Sequence, residues 1–161
     1  MELLPGKLLS IRNFEKKDLE NISKFISEEY NNKTIFEEYL KIIETSYNDD
    51  FDEEGEKHFA IDSKGELIGE LTLLFEKPYI YFSYSLNTQF DTRIYIQELF
   101  MIVIKYLHLI YPHRQIVTTT NKFNLVARAV IENLGFERKS IDKIANTYTY
   151  SIFVPNPNKG K

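Results

Sequence analysis

Apolar positions along the chain recur with two periods, and the switches between them mark the elements. Residues 8–14 read as a short strand. Across 15–30, Leu19, Ile22 and Ile26 fall at helical spacing with charges between them, which predicts an amphipathic helix. Thr34-Ile35-Phe36-Glu37 has the form of a capping box and opens a second helix. That helix turns Ile35, Phe36, Tyr39, Leu40, Ile42 and Ile43 inward and ends near Tyr47. An acidic loop covers 48–56. Two strands follow, 58–62 and 66–75, joined by Ser63-Lys64-Gly65, a hairpin turn in which glycine takes the positive φ. Lys77-Pro78 breaks the chain before an aromatic-rich strand at 79–86.

After a polar loop at 87–93, a long helix is predicted over 94–110. Ile96, Leu99, Phe100, Val103, Tyr106, Leu107 and Ile110 form one stripe on it, and Pro112 prevents further helix. Residues 115–120 form a short β-type run. Asn124 suits the start of a helix that stops at Gly135, with Leu134 and Phe136 flanking the glycine. A last strand covers 148–154, and 155–161 reads as an unstructured tail. The order β-α-α-β-β-β-α-β-α-β predicts an α/β protein with one mixed sheet flanked by helices. With no repeat and no linker, the 161 residues form a single domain.

Composition narrows the function. Aromatics make up 14% of the chain, enough to argue for a packed core. The net charge of −4 argues against nucleic acid, which needs a basic face. The absence of cysteine excludes disulfides, thiolate metal sites and a thiol nucleophile. No apolar run suits a signal sequence or a membrane span, so the expectation is a cytoplasmic protein without a membrane partner. The acidic loop from Asp50 imitates a calcium loop, but its twelfth position is Ile61 where a bidentate Glu is needed. It stands either as a solvated loop or as a lure for a cationic amine. His58, His108 and His113 lack the i, i+4 partner of a metal site, and no metal is expected. His58 reads as a strand residue. Neither a Gly-x-Ser-x-Gly elbow nor a P-loop occurs. The strand that ends at Leu86, the polar loop and the helix start near Ile94 together make a candidate anion site, because free N–H groups and the helix dipole face outward there.

Several segments together resemble a known family. Asn124, Ala127, Glu132, Leu134, Gly135 and Phe136 fit Asn-x-x-Ser/Ala-x-x-x-x-Glu-x-Leu-Gly-Phe. Leu9-Ser10-Ile11-Arg12 with Asp18-Leu19, and Ile68-Gly69-Glu70, supply a matching first strand and helix and a matching central strand. In these features the chain resembles the GNAT N-acetyltransferases, particularly the branch that acetylates ribosomal-protein N-termini. The resemblance implies an acyl-CoA N-acyltransferase-like fold with a mostly antiparallel sheet, and acetyl-CoA as co-substrate. It places the thioester along the strand ending at Leu86, where a backbone N–H meets the carbonyl. The family's cofactor loop, Gln/Arg-x-x-Gly-x-Gly/Ala, corresponds here to Gln89-Phe90-Asp91-Thr92-Arg93-Ile94. The implied cofactor contacts are therefore Leu86, Gln89, Thr92, Arg93, Ile94, Tyr95 and Asn124.

Thr92 and Ile94 replace the small residues of that loop, and Glu98 keeps an acidic position of the branch. If both sites need positive φ, each costs about 1–3 kcal/mol; at negative φ there is no strain. The family's general-acid positions hold Ile131 and Ala127. Glu70 is the carboxylate placed to act as base, or else a satisfied strand residue. Tyr84 assists it, or else packs in the core. Asn124 caps a helix or contacts the ligand. Two functions follow. The first is transfer of an acetyl group from acetyl-CoA to a primary amine, either a peptide N-terminus or a small cationic amine. The alternative is an inactive binding module with a degenerate CoA loop. A homodimer is compatible with either.

Overall fold

The turn predicted at residues 63–65 sets the longest pairing in the protein. In the computed structural model, which describes residues 2–21, 33–51 and 54–153, Lys64 and Gly65 have φ of 53° and 84°. Two consecutive left-handed residues match the twist of the strands they join. They connect β3 (Gly55–Ser63) to β4 (Glu66–Glu76). Upstream lie β1 (Glu2–Leu4) and β2 (Ser10–Arg12), then a 3-10 turn at Lys16–Glu20 and helix α1 (Lys33–Glu44). Downstream come β5 (Tyr79–Leu86), a 3-10 turn at Thr88–Phe90, α2 (Arg93–Ile110) and β6 (Gln115–Asn121). The chain then forms α3 (Leu125–Asn133), β7 (Glu137–Asp142) and β8 (Thr147–Ile152).

The eight strands make one sheet in the order β1-β2-β3-β4-β5-β6-β8-β7. Every neighbouring pair is antiparallel except β5 with β6. A parallel pair needs a crossover, which α2 provides. Its Ile96, Leu99, Phe100, Val103, Ile104 and Leu107 are buried, and Phe100 stacks on Phe82 of β5 at 4.5 Å. Phe14, Ile43, Ala60 and Leu67 form a smaller core on α1. Arg12 is buried between Asp62, at 2.8 Å, and Asp18, at 2.7 and 2.9 Å. β2 and the following turn are thereby tied to the β3–β4 hairpin. No helix among the described residues is long and apolar enough to cross a membrane.

Several expectations change. β1 and β7 are strands that the hydrophobic pattern does not show. β1 is three residues long, and every residue of β7 is exposed, so neither carries an alternating signal. A charged, exposed strand is the usual composition of a sheet edge. β2 is shorter than 8–14, and β8 ends at Ile152. Residues 16–20 form a 3-10 turn in place of the start of an α-helix. The rest of that predicted helix (22–30), the Thr34 side chain of the capping box, Asp52, Glu53 and the tail from 154 lie outside the described residues. The acidic loop is only partly solvated. Phe51 is buried and stacks on Phe59, and Glu54 pairs with Arg114 at 2.7 Å.

Candidate active site

β5 and β6 run side by side only from Tyr79/Gln115 to Phe82/Thr118. The closed end is held by Arg114, which donates to the Tyr79 carbonyl at 2.8 Å and lies over the rings of Phe75 and Tyr111. The last link is Thr118, whose hydroxyl donates to the Phe82 carbonyl at 2.9 Å. Beyond it each strand follows its other neighbour. Residues 83–86 stay paired with β4, while residues 119–121 stay paired with β8. The sheet splits, leaving a cleft of about 260 Å³ lined by Ser83, Tyr84, Ser85, Leu86, Asp91, Thr118, Thr119, Thr120, Asn121 and Asn124. The β6-facing edge of residues 83–86 has no strand partner there, so an extended amide-bearing ligand can pair with it.

The loop after β5 leads into α2. Thr92 has φ −127° and ψ 160°, its side chain makes no cap bond, and the first turn holds no carboxylate. The first N–H groups of α2 are therefore open to an anion. Among the described non-glycine residues only Lys64 and Asn146 have positive φ, so Thr92 and Ile94 carry no left-handed strain. Of the sequence-predicted cofactor contacts, the fold sets Leu86 and Asn124 on the cleft wall. Gln89, Thr92 and Arg93 are exposed in the adjoining loop and helix start, and Tyr95 packs on Phe90 at 5.2 Å. Ile94 lies away from the cleft. It is 60% exposed and lines a groove with Pro5, Gly6, Gln97 and Met101. Asn124 caps α3, its Oδ1 accepting from the Ala127 N–H at 3.1 Å.

Glu98 is bound up with the amino terminus. Its carboxylate accepts the backbone N–H groups of Lys7, Leu8 and Leu9 at 2.7–2.8 Å. Gly6 leaves room for it, because a Cβ there would lie 2.4 Å from the Leu9 carbonyl and 3.1 Å from Glu98.

Glu70 and Tyr84 are on neighbouring strands and opposite faces. Glu70 lies across from Ser85, and Leu71 lies across from Tyr84. Tyr84 is on the α2 side, edge-on to Phe100 at 5.6 Å. Burial, and secondarily the charge of Asp91, pushes its phenol well above the ordinary value, so it stays protonated. Asp91 also lines the cleft, and partial desolvation raises its carboxyl. Glu70 is only 7% exposed and is not part of the cleft wall; it sits one strand behind it. Burial pushes its carboxyl up to about 7, against a hydrogen bond from the Thr72 hydroxyl at 2.8 Å. His58 Nδ1 lies 2.9 Å from Glu70 Oε1.

Sequence reasoning passed over this His58 contact and the place of Asp91 in the cleft. The hairpin turn carried the signal for the first, since its register puts His58 across from Thr72 and next to Glu70 on the same face.

The family described as "Acetyltransferase (GNAT) domain" matches residues 11–150. The chain belongs to the GNAT acetyltransferase family. Its fold is shared by solved structures of low sequence identity. One is a GNAT-family acetyltransferase from Bacillus anthracis, with 21% identity, coverage of 94% of this chain and 98% of that one, and a TM-score of 0.75. Another is RimL, a ribosomal L7/L12 alpha-N-protein acetyltransferase in complex with coenzyme A, with 14% identity, 95% and 98% coverage and a TM-score of 0.75. A third is an acetyltransferase from Salmonella typhimurium that modifies the N-terminal serine of L7/L12, with 15% identity, 93% and 98% coverage and a TM-score of 0.72. No curated protein matches the chain closely enough in sequence to count as a relative.

Proposed function

We propose that this GNAT domain moves the acetyl group of acetyl-CoA to a primary amine, with Glu70 as base and Tyr84 as proton donor. The observation that carries this reading is the cleft between β5 and β6, with a protonated phenol in its wall and a buried carboxyl one strand behind it. Acetyl-CoA supplies the acetyl group as an activated thioester. The free edge of Ser83–Leu86 suits the amide-bearing arm of CoA, and the open N–H groups at the start of α2, with Arg93, suit its phosphates. Leu86 and Asn124 bound this slot, and Gln89 and Thr92 stand at its rim. Asp91 opposes an anion, and its negative charge favours a cationic acceptor beside it.

The amine arrives as an ammonium ion. Glu70 takes its proton, through a water molecule or directly, and the neutral nitrogen attacks the thioester carbonyl. As the carbon–sulfur bond breaks, Tyr84 gives its phenolic proton to the departing thiolate and is reprotonated, through water, by the second proton that the attacking nitrogen loses, while Glu70 releases its own proton to solvent.

The test is release of CoA thiol from acetyl-CoA with a short peptide amide bearing a free amino terminus. Glu70→Gln should lower turnover by about 10²–10⁴-fold with CoA affinity nearly unchanged. Full turnover in that variant overturns the role of Glu70.

A second reading, a CoA-binding module without turnover, is favoured by the distance of Glu70 from the cleft wall and by Asp91 at the anion end. On that reading calorimetry shows CoA binding, while no amine elicits thiol release.

A further inference from the structure

On the sheet face away from α2, one imidazole lies between two carboxylates. His58 Nδ1 is 2.9 Å from Glu70 Oε1, and His58 Nε2 is 3.4 Å from Glu56 Oε2. The two ends of this chain differ in environment. The Glu70 and His58 side chains are about 9% and 10% exposed, whereas Glu56 is 59% exposed. The ring therefore runs from a buried carboxyl to the surface. Thr72 Oγ1 adds a donor to Glu70 Oε1 at 2.8 Å and lies 3.2 Å from His58 Nδ1. Asp49 Oδ2 accepts the His58 backbone N–H at 2.9 Å and fixes the strand at this residue. The titratable groups that reach the ring are Glu56 on β3 and Glu70 on β4, and Asp49 from the preceding loop holds the backbone beside it. His58 Nε2 is buried without a hydrogen bond, and Glu56 is the carboxylate within reach of it.

We propose that His58 is a positioning residue for Glu70: a protonated ring donates from Nδ1 to Glu70 while its Nε2 faces Glu56 at 3.4 Å, holding the Glu70 carboxyl ionised and leaving Oε2 to take the amine proton. This rests on the acetyl-transfer reading above. An N–H donor on the charged form of a buried carboxyl offsets its desolvation, so removing the donor shifts ionisation to higher pH. A residue that merely fills space has no such effect.

The experiment follows kcat/KM for thiol release from acetyl-CoA and the peptide amide between pH 5.5 and 9.5, in the full chain. In His58→Gln the rising limb should move up by about one pH unit, with about a tenfold loss at pH 6 and recovery to within about twofold at pH 9. A loss that is equal at every pH, or a profile like the wild type's, overturns the role. Glu56→Gln, at an exposed position, carries the same test if His58→Gln does not fold. Its limb should move in the same direction by a smaller amount, and an unmoved limb overturns the proposal. Ring nitrogen NMR gives an independent readout, since the chain has three histidines. Protons on both His58 nitrogens at the assay pH support the bridge, and a bare Nδ1 overturns it. If the wild type releases no thiol, the acetyl-transfer reading falls and this role falls with it. Release with an unmoved profile removes the role alone.

Discussion

Glu70 illustrates how a single side chain acquires chemistry from its surroundings. A carboxylate on an exposed strand is ionised throughout the neutral range, but burial pushes this one up to about 7. On the proposed role of Glu70 as base, acetyl transfer should rise with pH through about 7, because a base works only when ionised, and Glu70→Gln should abolish that limb. A pH–rate profile at saturating acetyl-CoA checks this. Gly69, beside it, has a different constraint. A Cβ there would lie 2.2 Å from the Ser85 carbonyl, at the strand pair that forms the cleft wall. Gly69→Ala should therefore destabilise the fold by about 1–3 kcal/mol, as overpacking does, seen as a lowered denaturant midpoint. Both residues were legible in the sequence as part of Ile68-Gly69-Glu70. The neighbours that define them were not, because they come from β3 and β5.

At the scale of elements, the start of α2 is the informative case. Glycine would tighten CoA binding if Thr92 and Ile94 were strained, but Thr92 is extended and Ile94 is helical. Thr92→Gly/Ile94→Gly should bind CoA no better than the wild type by calorimetry. It should lose about 1 kcal/mol of stability from glycine inside the helix. Tenfold tighter binding would mean that bulk alone had limited the loop. Further along α2, Glu98 gathers the N–H groups of residues 7–9. Hydrogen bonds to a charged acceptor are among the stronger ones, so Glu98→Ala should cost about 1–3 kcal/mol and speed amide exchange at Lys7, Leu8 and Leu9. Unchanged exchange there would show that the amino-terminal segment is held by its strand pairing alone.

Across the whole molecule, the cleft exists because two halves of one sheet part company after four paired residues. A ligand seated there bridges both halves. CoA should raise the melting temperature by mass action, about 2.7 kcal/mol at a hundredfold excess over Kd, and slow amide exchange on the free edge of residues 83–86. A thermal shift without protection of that edge places the ligand elsewhere. The sequence by itself determined the local events. Asn124 and Gly135 bound α3, the Lys64-Gly65 turn sets a hairpin, aromatic β5 ends at Leu86, and the apolar stripe of α2 faces the core. Each depends on backbone propensity, capping or periodicity within a dozen residues, and the ordered motifs sufficed to indicate the family. Tertiary structure alone decided the rest. β7 joins the sheet without an apolar face because β8 supplies its hydrogen bonds. Ile94 turns into a groove beside Gly6 and away from the cleft. Glu70 is shut away from water one strand behind the cleft, and Tyr84 shares the cleft with Asp91, because the packing of the sheet and the split between β5 and β6 put them there. These contacts depend on strand register and on the desolvation of charges, and neither is written in the spacing of residues along one segment.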